Sequence, residues 1–214
     1  PFGDSWEVFS YGEVGEYARK LATGLKSLGL RKNAHIGLIS KNCREWIISD
    51  LAIMMAGYVS VPFFSNLTSD EIKNLLDFGD VDLLIVGKVE DWENQKKGVP
   101  DEMPIISFPN YKGFSSVEDG YQWYDFINKH EPLKEPHQPY LDDTWTIIFT
   151  SGTTGDPKGV VLTYLALDKT KVIHSQSNPL KVDFSGNNEF ISYLPLNHIA
   201  ERIVVEHLSL IHIS

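Results

Sequence analysis

An α/β fold, with mixed sheets flanked by helices, is predicted by three observations. Helix-period segments alternate with short apolar runs through the first 86 residues. Two of the helix-period segments open on capping boxes. Further along, the apolar run Trp145-Thr146-Ile147-Ile148-Phe149 enters a glycine-rich loop. Helices and strands in alternation are the pattern of a parallel or mixed sheet with helices packed on it.

The elements follow in order. Ser10-Tyr11-Gly12-Glu13 is a capping box, because a hydroxyl and a carboxylate three residues apart can each satisfy the other's free backbone N–H. Val14, Tyr17, Ala18, Leu21, Ala22, Leu25 and Leu28 then recur at helical spacing, and Gly29 stops the helix. Ala34–Ser40 predicts a strand. Glu45–Ala56 predicts a mostly buried helix closed by Gly57, with Met54-Met55 in the core. Val59–Val61 predicts a strand ended by Pro62. Thr68-Ser69-Asp70-Glu71 is the second capping box and opens a helix to about Phe78. Strands are expected at Asp82–Val86 and Pro104–Phe108, and a short helix at Tyr121–Lys129. Glu131–Leu141 carries Pro132, Pro136 and Pro139 among charges and reads as a linker. Strands are expected at Thr144–Phe149, at Val160–Thr163, and over 189–194 up to Pro195. The expected organisation is a first α/β subdomain over 1–130, a linker over 131–143, and the start of a second α/β subdomain over 144–214.

Acidic residues outnumber basic ones, 29 to 19, in 214 residues. A general nucleic-acid surface would show a basic stripe, so that class is disfavoured. The single cysteine, Cys43, excludes an internal disulfide and points to a reducing compartment. It is expected to be a small, partly buried apolar residue and not a nucleophile. The six histidines other than His198 show no metal-ligand spacing, and with one cysteine a zinc site is not expected. No apolar run reaches transmembrane length, and no signal peptide is visible. A cytoplasmic protein is expected, with peripheral membrane contact as an option.

The stretch that carries chemistry is Thr150-Ser151-Gly152-Thr153-Thr154-Gly155-Asp156-Pro157-Lys158-Gly159. Four hydroxyls, three glycines and a lysine follow directly on an apolar strand. Glycines let backbone N–H groups converge, hydroxyls add short donors, and lysine supplies a point charge, so a phosphate grip is expected. It is not of the Walker type: Pro157 stands where the second glycine should be, and Gly159 follows Lys158 in place of a hydroxyl. No Gly-x-Gly-x-x-Gly occurs, so a dinucleotide fingerprint is absent.

This loop resembles the signature of the AMP-forming acyl-adenylate synthetases. Ser192-Tyr193-Leu194-Pro195-Leu196-Asn197-His198-Ile199-Ala200-Glu201-Arg202 resembles a second family element, in the form found in the long-chain fatty acyl-CoA synthetase branch. Asn42-Cys43-Arg44-Glu45-Trp46 and Gly57-Tyr58-Val59-Ser60-Val61-Pro62 agree with it, and the likeness runs over nearly all of residues 5–208. The resemblance implies an enzyme that activates a long-chain fatty acid with ATP and magnesium and passes the acyl group to CoA. It implies that Lys158 lies against the leaving phosphates and that Thr150 helps to hold magnesium. Ser151, Gly152, Thr153, Thr154 and Gly155 would complete the nucleotide grip, and His198 would line the acyl-carboxylate site. Arg202 stands where some relatives carry a gating Trp, so that gate is not carried over. Glu201 and Arg202 are expected to be structural.

Two other classes remain open at this stage. One is an acyl-adenylating enzyme that loads a carrier protein, and the other a non-catalytic protein that binds nucleotide or acyl groups. The family's second magnesium-binding Glu, its ribose-binding Asp and its adenylation lysine are not found in these 214 residues, so this stretch alone is expected to be inactive. Ile211-His212-Ile213-Ser214 departs from the family pattern and is expected to be a non-native tail.

Overall fold

The computed structural model describes residues 7–150, 157–177 and 191–207. The first helix, α1 (Tyr11–Ser27), starts at the Ser10 cap. The Ser10 hydroxyl accepts from the Glu13 N–H while Glu13 accepts from the Ser10 N–H at 2.7 Å. Strand β1 (His35–Ile39) leads to α2 (Arg44–Ala56), which closes on Gly57. Gly57 has φ +81°, a left-handed conformation that a side chain would strain.

Strand β2 (Val59–Phe63) runs past Pro62 instead of ending before it. Pro62 sits in register with Leu38 of β1, whereas the other neighbour, β6 (Thr144–Thr150), pairs with β2 at the single position Ser60–Thr146. The missing proline N–H therefore interrupts no pairing with β6. Helix α3 (Ser69–Phe78) starts at the second capping box, Thr68/Glu71, and strand β3 (Val81–Val86) follows.

A short helix α4 (Trp92–Gln95) and strand β4 (Ile105–Ser107) come next. The helix expected from Tyr121 is shorter. Tyr121–Gln122 forms strand β5, which adds in parallel to β4, and α5 (Trp123–Ile127) begins only after it. Strand β6 is followed by β7 (Lys158–Thr163), α6 (Tyr164–Ser177), and the short α7 (Ile199–Glu201), which widens into a π turn over Arg202–His207. Residues 191–194 carry no strand; the rest of the expected strand, 189–190, lies outside the described residues.

One seven-stranded sheet results, in the order β5-β4-β3-β1-β2-β6-β7. All neighbours are parallel except β6 and β7. The Pro-rich segment 131–143 does not separate two sheets here, because β6 continues the sheet alongside β2. The strand period of two divides the core between the faces. Leu83 and Ile85 pack with Ile36, Leu38, Trp46 and Leu25, whereas Leu84 and Val86 pack with Ile39, Val61, Ile72 and Trp92. Helices α1, α2 and α5 cover the first face, and α3 and α4 the second. Cys43 is half-buried at the start of α2, and burial pushes its thiol up to about 12, so the thiol form is favoured at neutral pH.

Candidate functional site

The hydroxyl- and glycine-rich run hangs from the β6–β7 hairpin. Strand β6 leaves the core as it proceeds: Trp145 and Thr146 are buried, Ile147, Ile148 and Phe149 are half-buried, and Thr150 is exposed. Its exit is braced by Phe149, which stacks on Phe63 and meets Phe78 edge-on, each at 5.8 Å between centroids. Gly159 lies opposite Phe149. A Cβ there would come within 3.2 Å of both Phe149 and Ile147, so glycine lets β7 lie close over the ring.

Strand β7 begins at Lys158, two residues earlier than its sequence suggests, because a preceding proline costs the ladder a donor only at its own position. Lys158 is therefore a strand residue, and it pairs with Thr150. Residues opposite each other in an antiparallel ladder have Cα atoms about 5 Å apart and side chains on one face. The first hydroxyl and the lysine of the run thus stand side by side at the mouth of the connection. Both are exposed, and Lys158 has no acidic partner among the described residues. Ser151, Gly152, Thr153, Thr154 and Gly155 lie outside the described residues.

His198 is exposed and is the N-cap of α7. Its Nδ1 accepts from the Ala200 N–H at 3.3 Å, and its own N–H donates to the Pro195 carbonyl at 2.9 Å. A neutral ring that accepts at Nδ1 carries its proton on Nε2, which is left to meet a ligand. Glu201 is buried, and its Oε1 has no partner among the described residues.

Two polar anchors hold this segment, and sequence reasoning found neither pairing. Asn42, beyond the end of β1, donates from Nδ2 to Ser192 Oγ (2.9 Å) and to the Leu194 carbonyl (2.7 Å), and its Oδ1 accepts from the Leu196 N–H (2.9 Å). Arg202, fully buried, pairs not with Glu201 or His198 but with Asp50 of α2, Nη2 to Oδ2 at 2.6 Å. Its Nη1 donates to Thr146 Oγ1 at 2.9 Å, and its guanidinium lies over the Trp145 ring at 4.3 Å. Asp50 Oδ1 accepts from Ser60 Oγ, and Thr146 Oγ1 donates to the Ser60 carbonyl at 2.7 Å. One signal was available: Asp50 is the only acid in the apolar run Trp46–Ala56, and a carboxylate there needs a buried partner.

A family model described as AMP-binding enzyme matches residues 2–212. The chain belongs to this family. Among curated relatives it is 32% identical over 214 residues to the peroxisomal long chain acyl-CoA synthetase 6 of Arabidopsis thaliana, with 92% of this chain and 29% of that protein covered. It is 27% identical over 210 residues to the long-chain-fatty-acid–CoA ligase ACSBG2 of Mus musculus, with 94% and 32% covered. The chain thus spans about a third of the length of these relatives. Among solved structures, a long-chain-fatty-acid-CoA ligase (FadD1) of Archaeoglobus fulgidus superposes with a TM-score of 0.77 at 22% identity, covering 97% of this chain and 39% of that one. A red-emitting luciferase of Phrixothrix hirtus gives 0.75 at 19% identity, covering 99% and 40%. These two share the fold, a mixed α/β sheet flanked by helices. Among the described residues, no helix is long and apolar enough to cross a membrane.

Proposed function

We propose that the full-length protein activates a long-chain fatty acid with ATP, releasing pyrophosphate, and then transfers the acyl group to CoA. The observation that carries this is the pairing of Thr150 with Lys158 at the mouth of the hydroxyl- and glycine-rich run, in a chain of the AMP-binding enzyme family. Long-chain acyl-CoA synthetases among its relatives, matched over more than nine-tenths of the chain, support the substrate class.

In the first half-reaction a fatty carboxylate oxygen bonds to the α-phosphorus of ATP. The bond from that phosphorus to the bridging oxygen breaks, and its electron pair leaves with pyrophosphate. Negative charge gathers on the leaving group, and catalysis consists of placing reactants and stabilising that charge. Lys158 supplies a cation with no competing acidic partner among the described residues. Ser151, Thr153 and Thr154 supply donors, and Gly152 and Gly155 the turn.

Thr150 offers a hard hydroxyl oxygen. That fits magnesium, which binds through one or two protein oxygens together with phosphate oxygens and water. When bound, magnesium would offset phosphate charge. His198 Nε2–H faces the acid and donates to its carboxylate or to an α-phosphate oxygen; the ring is a donor here, not a base. A cytoplasmic location with peripheral membrane contact, suited to an apolar acyl substrate, is part of the same proposal.

Exchange of radiolabelled pyrophosphate into ATP, dependent on fatty acid, tests this on the full-length protein. Lys158→Ala should lower the exchange rate by ~10²–10³, the usual cost of one preorganised electrostatic contact, with circular dichroism unchanged because the side chain is exposed. Cleavage of ATP to ADP and phosphate, or wild-type exchange in the variant, overturns the proposal.

A further inference from the structure

We infer that Arg202, Asp50 and Thr146 form a buried lock that sets the register of the His198 segment against the hairpin carrying Thr150 and Lys158, which makes Arg202 and Thr146 positioning residues of the adenylation step. The inference rests on the role proposed above for His198.

The lock stands four residues from each half of the site. Arg202 follows His198 by four positions along one helical stretch, a rise of about 6 Å. Thr146 precedes Thr150 by four positions along β6, about 13 Å, and on the same strand face. The bond from Arg202 Nη1 to Thr146 Oγ1, 2.9 Å, is therefore a direct tie between the element that presents His198 and the strand that presents Thr150.

The tie is held without slack. Thr146 has one hydroxyl proton, and it goes to the Ser60 carbonyl at 2.7 Å, which leaves a lone pair for Arg202. Asp50 uses Oδ1 for Ser60 Oγ and Oδ2 for Arg202 Nη2. Thr146 Oγ1 and Asp50, which both accept from the guanidinium, are thus held by the same residue of β2. All four side chains are fully buried. The guanidinium plane, over the Trp145 ring at 4.3 Å and near Trp46 at 5.6 Å, is oriented as well as bonded.

A buried ion pair is weak evidence for stability, since apolar side chains of similar volume would do as well. What it adds here is position. An apolar contact tolerates sliding, whereas a two-armed donor with two fixed acceptors admits one register. The other end of the segment is pinned too, by Asn42 on Ser192, Leu194 and Leu196. His198 lies between the two pins.

The test is a double-mutant cycle on the full-length protein, read as single-turnover acyl-AMP formation at saturating ATP with palmitate as the acid. Thr146→Val removes the hydroxyl while nearly keeping the shape. It should slow adenylation about tenfold, as misplacement of a reacting group does. In a His198→Ala background the same change should slow it less than about twofold, because residues that act as a unit are not additive. Thr146→Ser should restore the rate.

Equal slowing in both backgrounds overturns the lock, as does a lowered melting temperature with an unchanged rate per folded enzyme. A normal rate in His198→Ala alone overturns the role of His198 and the inference with it, an outcome distinct from additivity. Should Thr146→Val fail to fold, Arg202→Lys replaces it in the cycle. That change keeps the charge facing Asp50 and loses the second donor arm.

Discussion

Strands β3 and β7 have equal length and each carries a run of branched apolar residues, Val81-Asp82-Leu83-Leu84-Ile85-Val86 against Lys158-Gly159-Val160-Val161-Leu162-Thr163. Their surroundings are opposite. Leu83, Leu84, Ile85 and Val86 are fully buried between two layers of helices, whereas Val160 and Val161 are about half exposed at the sheet edge. The interior of the sheet is held by apolar surface removed from water, which is non-directional and forgiving of detail. The edge that carries the candidate site is held by a few directional contacts: Phe149 on Phe63, Asn42 on the 192–196 segment, and Arg202 on Asp50 and Thr146. Stability and site geometry are therefore supplied by different chemistry, and substitutions can separate them.

The sharpest separation is expected at the buried pair. Arg202→Leu leaves the Asp50 carboxylate buried without its cation and should cost ~3–5 kcal/mol in urea unfolding of the full-length protein. Adding Asp50→Leu removes the stranded charge and should recover most of that loss. Adenylation should not return with stability, because an apolar pair holds no register. If the double variant regains both, the edge is held by packing alone and the contrast with β3 disappears.

A smaller effect is expected at Asn42. Asn42→Ala leaves the Leu196 N–H without its acceptor, at a cost of ~1–3 kcal/mol if water does not replace it. The loss should be local. Limited proteolysis should cut within 191–197 sooner than in the wild type, while α1, α2 and β1 stay protected, since they pack mainly on one another through apolar side chains and Leu196 is the one residue of 191–197 in their buried cluster. Faster cleavage throughout the chain would show that the segment and the core open together.

What the sequence made legible divides along the same line. The capping boxes at Ser10 and Thr68 were readable because each interaction spans three residues. The parallel, doubly covered part of the sheet was readable because apolar runs and helical periods are local patterns. Strand β5 was not, because Tyr121-Gln122 is extended only by virtue of β4 beside it. Helix α6 showed no apolar stripe, and Leu165, Val172 and Ile173 on it are exposed. At the site, the chemistry of the run from Thr150 to Gly159 was visible as residue types, but not that Lys158 would face Thr150 across a ladder. The Arg202–Asp50 pair joins residues 152 positions apart, and only the fold brings them together.

The smallest effect is expected on the face of the sheet opposite α1 and α2, at the cap of α3. Glu71 Oε2 accepts from both the Thr68 N–H and the Thr68 hydroxyl, each at 2.8 Å. These bonds favour the ionised carboxylate, the backbone bond more than the hydroxyl, and hold Glu71 below its ordinary value of 4.5. A group whose value is lowered by folding adds stability that is complete above its unfolded value and is lost as pH falls through its folded one. Thr68→Ala removes the hydroxyl from both halves of the box and should cost ~1 kcal/mol near neutral pH. The difference between variant and wild type should shrink as pH falls below 4.5, because protonated Glu71 is a poorer acceptor in both proteins. Adenylation per folded enzyme should be unchanged, as Thr68 touches neither the hairpin nor the 192–202 segment. A cost that stays constant down to the acid transition would remove the carboxylate from the cap. A loss of adenylation would be more consequential: it would mean that the α3 face, which meets the hairpin through Phe78 and Phe149, shares in holding the site.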